Sequence, residues 1–194
     1  MALFRWAAPI YDLTMNLVGH GSTLDKLVKR IEPEPGESLL DLGGGTGQLL
    51  DFLPPNMKVT LVDSSENMLA QARKKESNQK VKYVRARGDD MPLADNSCDY
   101  VVIADALHHF SRVEETIEEV KRVLKPKGEI YILEFHPGSM LTKFISAGES
   151  IAGEPANFYL PEELSSLFYE SGFTVRREDI SNSIYIIQAE IAET

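Results

Sequence analysis

Only one cysteine, Cys98, occurs in 194 residues. That excludes an internal disulfide and a cysteine-rich zinc site, and it suits a reducing compartment. Basic residues are scarce beside acidic ones, 20 Lys and Arg against 30 Asp and Glu, for a net charge of −10. A surface of that sign repels phosphate backbones, and the short clusters Arg73-Lys74-Lys75 and Lys121-Arg122 are flanked by acids, so no nucleic-acid partner is expected. No apolar run approaches the roughly 18–20 residues that cross a bilayer. The apolar start, residues 1–10, is interrupted by Arg5 and Pro9 where a signal peptide would continue. A cytoplasmic protein without a transmembrane segment is the expectation. Internal repeats and low-complexity stretches are absent too.

What the chain does have is a regular alternation of strand and helix signals. Short apolar, largely β-branched runs occur at residues 39–42, 59–62, 81–84, 100–104 and 130–133, with two more at 173–175 and 183–187. Runs of this kind suit a parallel sheet covered on both faces. Helices fit between them. Ser64 or Ser65 can cap a helix carrying Met68 and Leu69. Ser111 and Glu114 have capping-box spacing ahead of an apolar face formed by Val113, Ile117, Val120 and Leu124. Pro161 suits a first helical turn and Gly172 a stop. The expected fold is α/β: a Rossmann-like, doubly wound seven-stranded sheet, mostly parallel with an antiparallel last strand. One domain, 1–194, is expected, with an N-terminal cover helix over 1–30 and a lid-like insertion over 138–160.

Two features carry chemistry. Asp41-Leu42-Gly43-Gly44-Gly45-Thr46-Gly47 follows the first strong strand directly, where glycines let the backbone come close to a small molecule. The helix expected from Gln48 would aim its amides there. A dinucleotide fingerprint fails in both registers, with Gln48 or Leu50 where its last glycine belongs. Asp41 suits a ligand ammonium instead. Asp63 then ends the second strand about 16–20 residues beyond the glycines, the spacing of a ribose-binding acid.

These stretches resemble class I S-adenosylmethionine-dependent methyltransferases, and within them the ubiquinone/menaquinone-biosynthesis C-methyltransferase branch. The likeness extends over Tyr11-Asp12-Leu13, residues 40–47, 61–69 and 91–99, Leu107-His108-His109 and 123–129. It implies S-adenosylmethionine as cofactor, S-adenosylhomocysteine as product and a small-molecule methyl acceptor, quinone-like or lipid-like. By resemblance, Gly43, Gly45, Thr46 and Gly47 hold the methionine end, Asp63 and Ser64 the ribose, and Met68 the adenine face. Ala104 faces the methionine portion and Tyr11 the sulfonium. Where the family carries an adenine-accepting aspartate, this chain reads Arg87-Gly88. An arginine cannot accept a hydrogen bond, so either Asp89 or the Arg87-Gly88 backbone reads the adenine. His108, His109 and Asp105 are the candidate acid–base residues, with Glu134 and His136 nearby in sequence. No metal is expected, and Cys98 is read as a buried packing residue. A non-catalytic cofactor-binding protein and an NAD-dependent oxidoreductase are the competing readings.

Overall fold

The computed structural model describes residues 20–152 and 156–192. Among them, seven strands form one sheet: Ser38–Leu42 (β1), Lys58–Asp63 (β2), Lys80–Arg85 (β3), Cys98–Ala104 (β4), Leu124–Phe135 (β5), Phe173–Ser181 (β6) and Ile184–Ile191 (β7). Their order is β3-β2-β1-β4-β5-β7-β6. The first five pair in parallel, and β7 runs antiparallel to both β5 and β6. Chain order reverses direction across the sheet between β1 and β4. Sheets of this type receive ligands at that place, outside the carboxyl ends of the strands.

Alternation along each strand divides the core into two layers. Leu40, Leu42, Val101, Ile103, Ile130 and Ile132 face one side, where helices Val113–Val123 (α3) and Pro161–Glu170 (α5) cover them with Val113, Ile117, Val120, Leu164 and Phe168. Leu39, Val59, Leu61, Val102, Tyr131 and Leu133 face the other. There the cover comes from His20–Ile31 (α1), the short 3-10 turn Gln48–Asp51 and Glu66–Ala72 (α2). Of the expected 1–30 cover, α1 therefore packs on a sheet face through Leu24, Leu27, Val28 and Ile31, while the rest lies outside the described residues. The expected insertion holds one more helix, Met140–Ala152 (α4).

Three local expectations are corrected. The residue before α3 is Arg112, whose side chain makes no cap, and the Ser111 hydroxyl accepts from Arg87 at 3.1 Å instead. Leu124 belongs to β5, not to the helix, because Cys98 of β4 pairs with it. The segment after the glycines is a single 3-10 turn, since Gly47 before it sits at φ 75° and the turn closes after four residues. At the end of the sheet away from the switch point, Asp99 ties three strands together. Its carboxylate accepts from the Ser38 main-chain N–H at 2.9 Å and from Lys125 Nζ at 2.8 Å.

Candidate functional site

The carboxyl ends of β1 and β2 are joined by a turn built around two acids. Gly43 and Gly44 both donate their N–H to the Val62 carbonyl, at 2.8 and 3.2 Å, and Gly47 closes the turn on Gly44 at 2.8 Å. Gly43, Gly45 and Gly47 have φ of 75°, 54° and 75°, in the left-handed region where a side chain costs energy. Gly44 is required for another reason. A Cβ there would stand 2.5 Å from Asp41 Oδ2 and 2.7 Å from Leu61 Cγ. The glycine turn is thus laid directly over the Asp41 carboxyl.

Asp41 is 2% exposed, and its Oδ2 is buried with no hydrogen-bond partner. Burial, reinforced by the charge of Asp63, pushes its carboxyl up to about 7. An orphaned buried acid of this kind fits a cationic ligand group. Asp63 is differently placed. Its Oδ1 accepts from Ser65 N–H at 2.7 Å and its Oδ2 from Gly45 N–H at 3.0 Å. Burial raises the Asp63 carboxyl and these two N–H groups oppose the rise, leaving it above the ordinary range. Each oxygen keeps a second lone pair for a ligand hydroxyl. The residues present therefore fit an adenosyl amino-acid cofactor: a buried acid for its ammonium, a held carboxylate for its ribose and a glycine-rich backbone turn between them.

The other residues expected to bind cofactor are placed as follows. Thr46 and Met68 are buried, and Ser64 is exposed with its carbonyl accepting from Arg85 Nε at 3.3 Å. Ala104 closes β4 beside Leu133. Arg87 is exposed and turns back on Asp89, with Nε–Oδ1 at 2.8 Å, and Arg112 adds a contact to Asp89 Oδ2 at 3.1 Å. These guanidinium groups hold the Asp89 carboxyl below its usual value. Both of its oxygens are thus committed to arginines. Gly88 packs under Thr116, whose Cγ2 would lie 2.9 Å from a Cβ. Tyr11 lies outside the described residues.

A second cluster forms where β4 and β5 end. Asp105 takes φ 53° and donates its N–H to the Leu133 carbonyl at 2.9 Å. The 3-10 turn Leu107–His109 follows, and Glu134 of β5 reaches under it. Glu134 Oε1 accepts from Leu107 N–H at 2.9 Å and His108 N–H at 3.3 Å. Oε2 lies 2.9 Å from His108 Nδ1 and 3.3 Å from Phe135 N. The imidazole of His108 is buried, stacked at 4.3 Å on Phe158 and tilted against His109 at 4.2 Å. Asp105, His108 and Glu134 bring ligand-type atoms within 4.8 Å of one another. Glu134 serves main-chain donors through both oxygens, and within the trio the hydrogen bond shown is the one between His108 and Glu134. His136, by contrast, folds back locally, its Nδ1 accepting from Gly138 N–H at 3.3 Å. Cys98 is buried at the far end of β4, as a packing residue should be.

Sequence reasoning placed Asp41, the glycines and Asp63 in one site. It did not find Phe158 or Asn157, which reach His108 from some 50 residues further along the chain. Nothing local signals such a contact.

Solved S-adenosylmethionine-dependent methyltransferases share this fold. The methyltransferase domain family matches residues 40–132. A ubiquinone/menaquinone biosynthesis C-methyltransferase UbiE from Rubrivivax gelatinosus is 30% identical over 188 residues, covering 88% of this chain and 74% of that protein. A UbiE from Cereibacter sphaeroides is 31% identical over 143 residues, 69% of this chain, and the match spans 57% of that relative's length. In the complex between the Haloferax volcanii Trm112 methyltransferase activator and a methyltransferase, one chain shares the fold with a TM-score of 0.84 at 19% identity, covering 99% of this chain and 98% of that one. The chain belongs to the class I S-adenosylmethionine-dependent methyltransferase family, alongside UbiE-type relatives. Among the described residues no helix is long and apolar enough to cross a membrane.

Proposed function

We propose that this chain moves the methyl group of S-adenosylmethionine to a small organic acceptor, quinone-like or lipid-like, and releases S-adenosylhomocysteine. The observation that carries the reading is the orphaned Asp41 oxygen under a glycine turn in which Gly44 leaves no room for a Cβ, one strand away from the held carboxylate of Asp63. The UbiE relatives support the quinone-like acceptor, since their printed role is ubiquinone and menaquinone biosynthesis.

When bound, the cofactor supplies a methyl on a sulfonium whose departure leaves a neutral thioether, so alignment does most of the work. Asp41 pairs with the ammonium and ionises as it does so. Asp63 accepts the ribose hydroxyls while Gly45 and Ser65 hold it in place. Gly43, Gly45, Thr46, Gly47 and Ala104 give the methionine end a close backbone wall, and Met68 covers the adenine. With Asp89 committed to Arg87 and Arg112, the Arg87-Gly88 backbone reads the adenine edge. A carbon or phenolic acceptor must lose a proton, and Asp105, His108 and His109 are the groups at the end of β4 that take it.

A second reading, cofactor binding without transfer, draws on the replacement of the adenine acid by Arg87. Isothermal titration with S-adenosylmethionine, S-adenosylhomocysteine and NADH, followed by mass spectrometry of demethylated quinols incubated with the enzyme and cofactor, separates the readings. Binding of the adenosyl compounds with a methylated quinol supports transfer. Binding without product across quinol, lipid and amine acceptors favours the second reading, and binding of NADH alone overturns both.

A further inference from the structure

We propose that Glu134 is a positioning residue that sets the tautomer of His108 and, through it, clasps residues 156–160 against the acceptor side of the site. The idea rests on the function proposed above only for the name of that side; the geometry stands by itself. Glu134 and His108 have side-chain exposures of 3% and 1%, so neither is shared with solvent. Main-chain N–H groups approach both Glu134 oxygens, from Leu107 and His108 on one and Phe135 on the other. The carboxylate is thus an acceptor throughout, and the proton joining it to the imidazole sits on His108 Nδ1. Any proton that His108 exchanges with the site is then carried by Nε2.

The clasp is made by the same residue. The His108 carbonyl accepts from Asn157 N–H at 2.8 Å, and its ring, held by Glu134, is the platform on which Phe158 stacks at an interplanar angle of 24°. One residue on, the Tyr159 carbonyl accepts from the hydroxyl of fully buried Tyr185 at 3.0 Å. The three successive residues 157–159 are therefore registered on β4's end and β7, and the chain enters α5 directly at Pro161. Rotating the imidazole away from Glu134 would cost the buried pair and the ring stack together. A carboxylate from β5 in this way fixes the tautomer of His108 and where the neighbouring wall lies.

Glu134→Gln tests this in the ligand-free chain. The amide keeps an oxygen at the Oε1 position for the Leu107 and His108 N–H groups and puts its NH2 at the Oε2 position, where the shorter of the two contacts to Nδ1 (2.9 Å, against 3.1 Å to Oε1) favours an accepting Nδ1. The chain has four histidines, so nitrogen-15 labelling of their rings gives a readable spectrum. In the wild type His108 should show the Nδ1–H tautomer, in Glu134→Gln the Nε2–H tautomer, and Asn157 amide exchange should quicken by about tenfold or more. S-adenosylhomocysteine affinity should be unchanged. A wild-type Nε2–H signature, or a tautomer indifferent to Glu134→Gln, overturns the proposal. Should that variant fail to fold, Phe158→Ala keeps the test: Asn157 exchange rises while Nδ1–H persists, and unchanged exchange removes the clasp. Failure to bind any adenosyl compound would count against the methyl-transfer reading and leave the tautomer result standing.

Discussion

At the scale of single residues, the two acids under the glycine turn make opposite predictions. Asp63 is held by the N–H groups of Gly45 and Ser65 and, in the function proposed, accepts the ribose hydroxyls, so Asp63→Ala should weaken S-adenosylmethionine binding by roughly 1–3 kcal/mol, measured by calorimetry. Asp41 is buried without a partner for Oδ2, and its carboxyl in the folded chain is raised to about 7 from 3.8. The unfolded chain therefore gives up this proton at lower pH than the folded one. The contribution of Asp41 to the stability of the ligand-free protein should therefore be full below about pH 3.8 and be lost as pH rises to about 7. Asp41→Asn should abolish that slope and stabilise the ligand-free protein at neutral pH by on the order of 1–3 kcal/mol, while costing cofactor affinity. Urea midpoints of both proteins on the acid and alkaline sides of neutrality check the sign. A stability difference between the two proteins that does not change with pH would remove the argument. Gly44→Ala places a Cβ against the same carboxyl and should destabilise by about 1–3 kcal/mol.

At the scale of elements, α3 and α4 differ in what they cover. Ile117 of α3 is 1% exposed in the core layer it shares with Val101, Ile130 and Leu164, so Ile117→Ala should cost about 2–5 kcal/mol of stability by urea unfolding. Met140 and Phe144, one helical turn apart on α4, are 67% and 74% exposed. Phe144→Ser should change stability by less than about 0.5 kcal/mol. The apolar spacing of α3 was readable in the sequence because its buried positions recur every three to four residues. Its start was not. Ser111 has the residue type of a cap, but Arg87, some distance away in sequence, engages the hydroxyl and the chain turns one residue later. The first residues of β5 escaped for a similar reason: Lys125-Pro126-Lys127-Gly128 has no strand pattern, and Gly128 packs where a Cβ would lie 2.7 Å from the Asp99 carbonyl.

At the scale of the whole molecule, cofactor binding should appear as a shift of the unfolding transition. A ligand at about 100 times its dissociation constant adds about 2.7 kcal/mol, worth roughly 5–10 °C for a chain of this size. S-adenosylmethionine and S-adenosylhomocysteine should both give it, and NADH should not. The amino-acid sequence by itself determined the sheet and the identity of the site's acids. Short apolar runs and helices between them specify a doubly wound sheet, and Asp41, Gly43 to Gly47 and Asp63 fall at strand ends through covalent spacing alone. Tertiary structure alone decided which polar groups find partners. Asp89 went to two arginines, His108 to Glu134 and Phe158, and Asp41 Oδ2 to none. The physical reason is range: strand and helix patterns are set by neighbours a few residues apart, whereas the partner of a buried polar group depends on what the folded chain brings beside it.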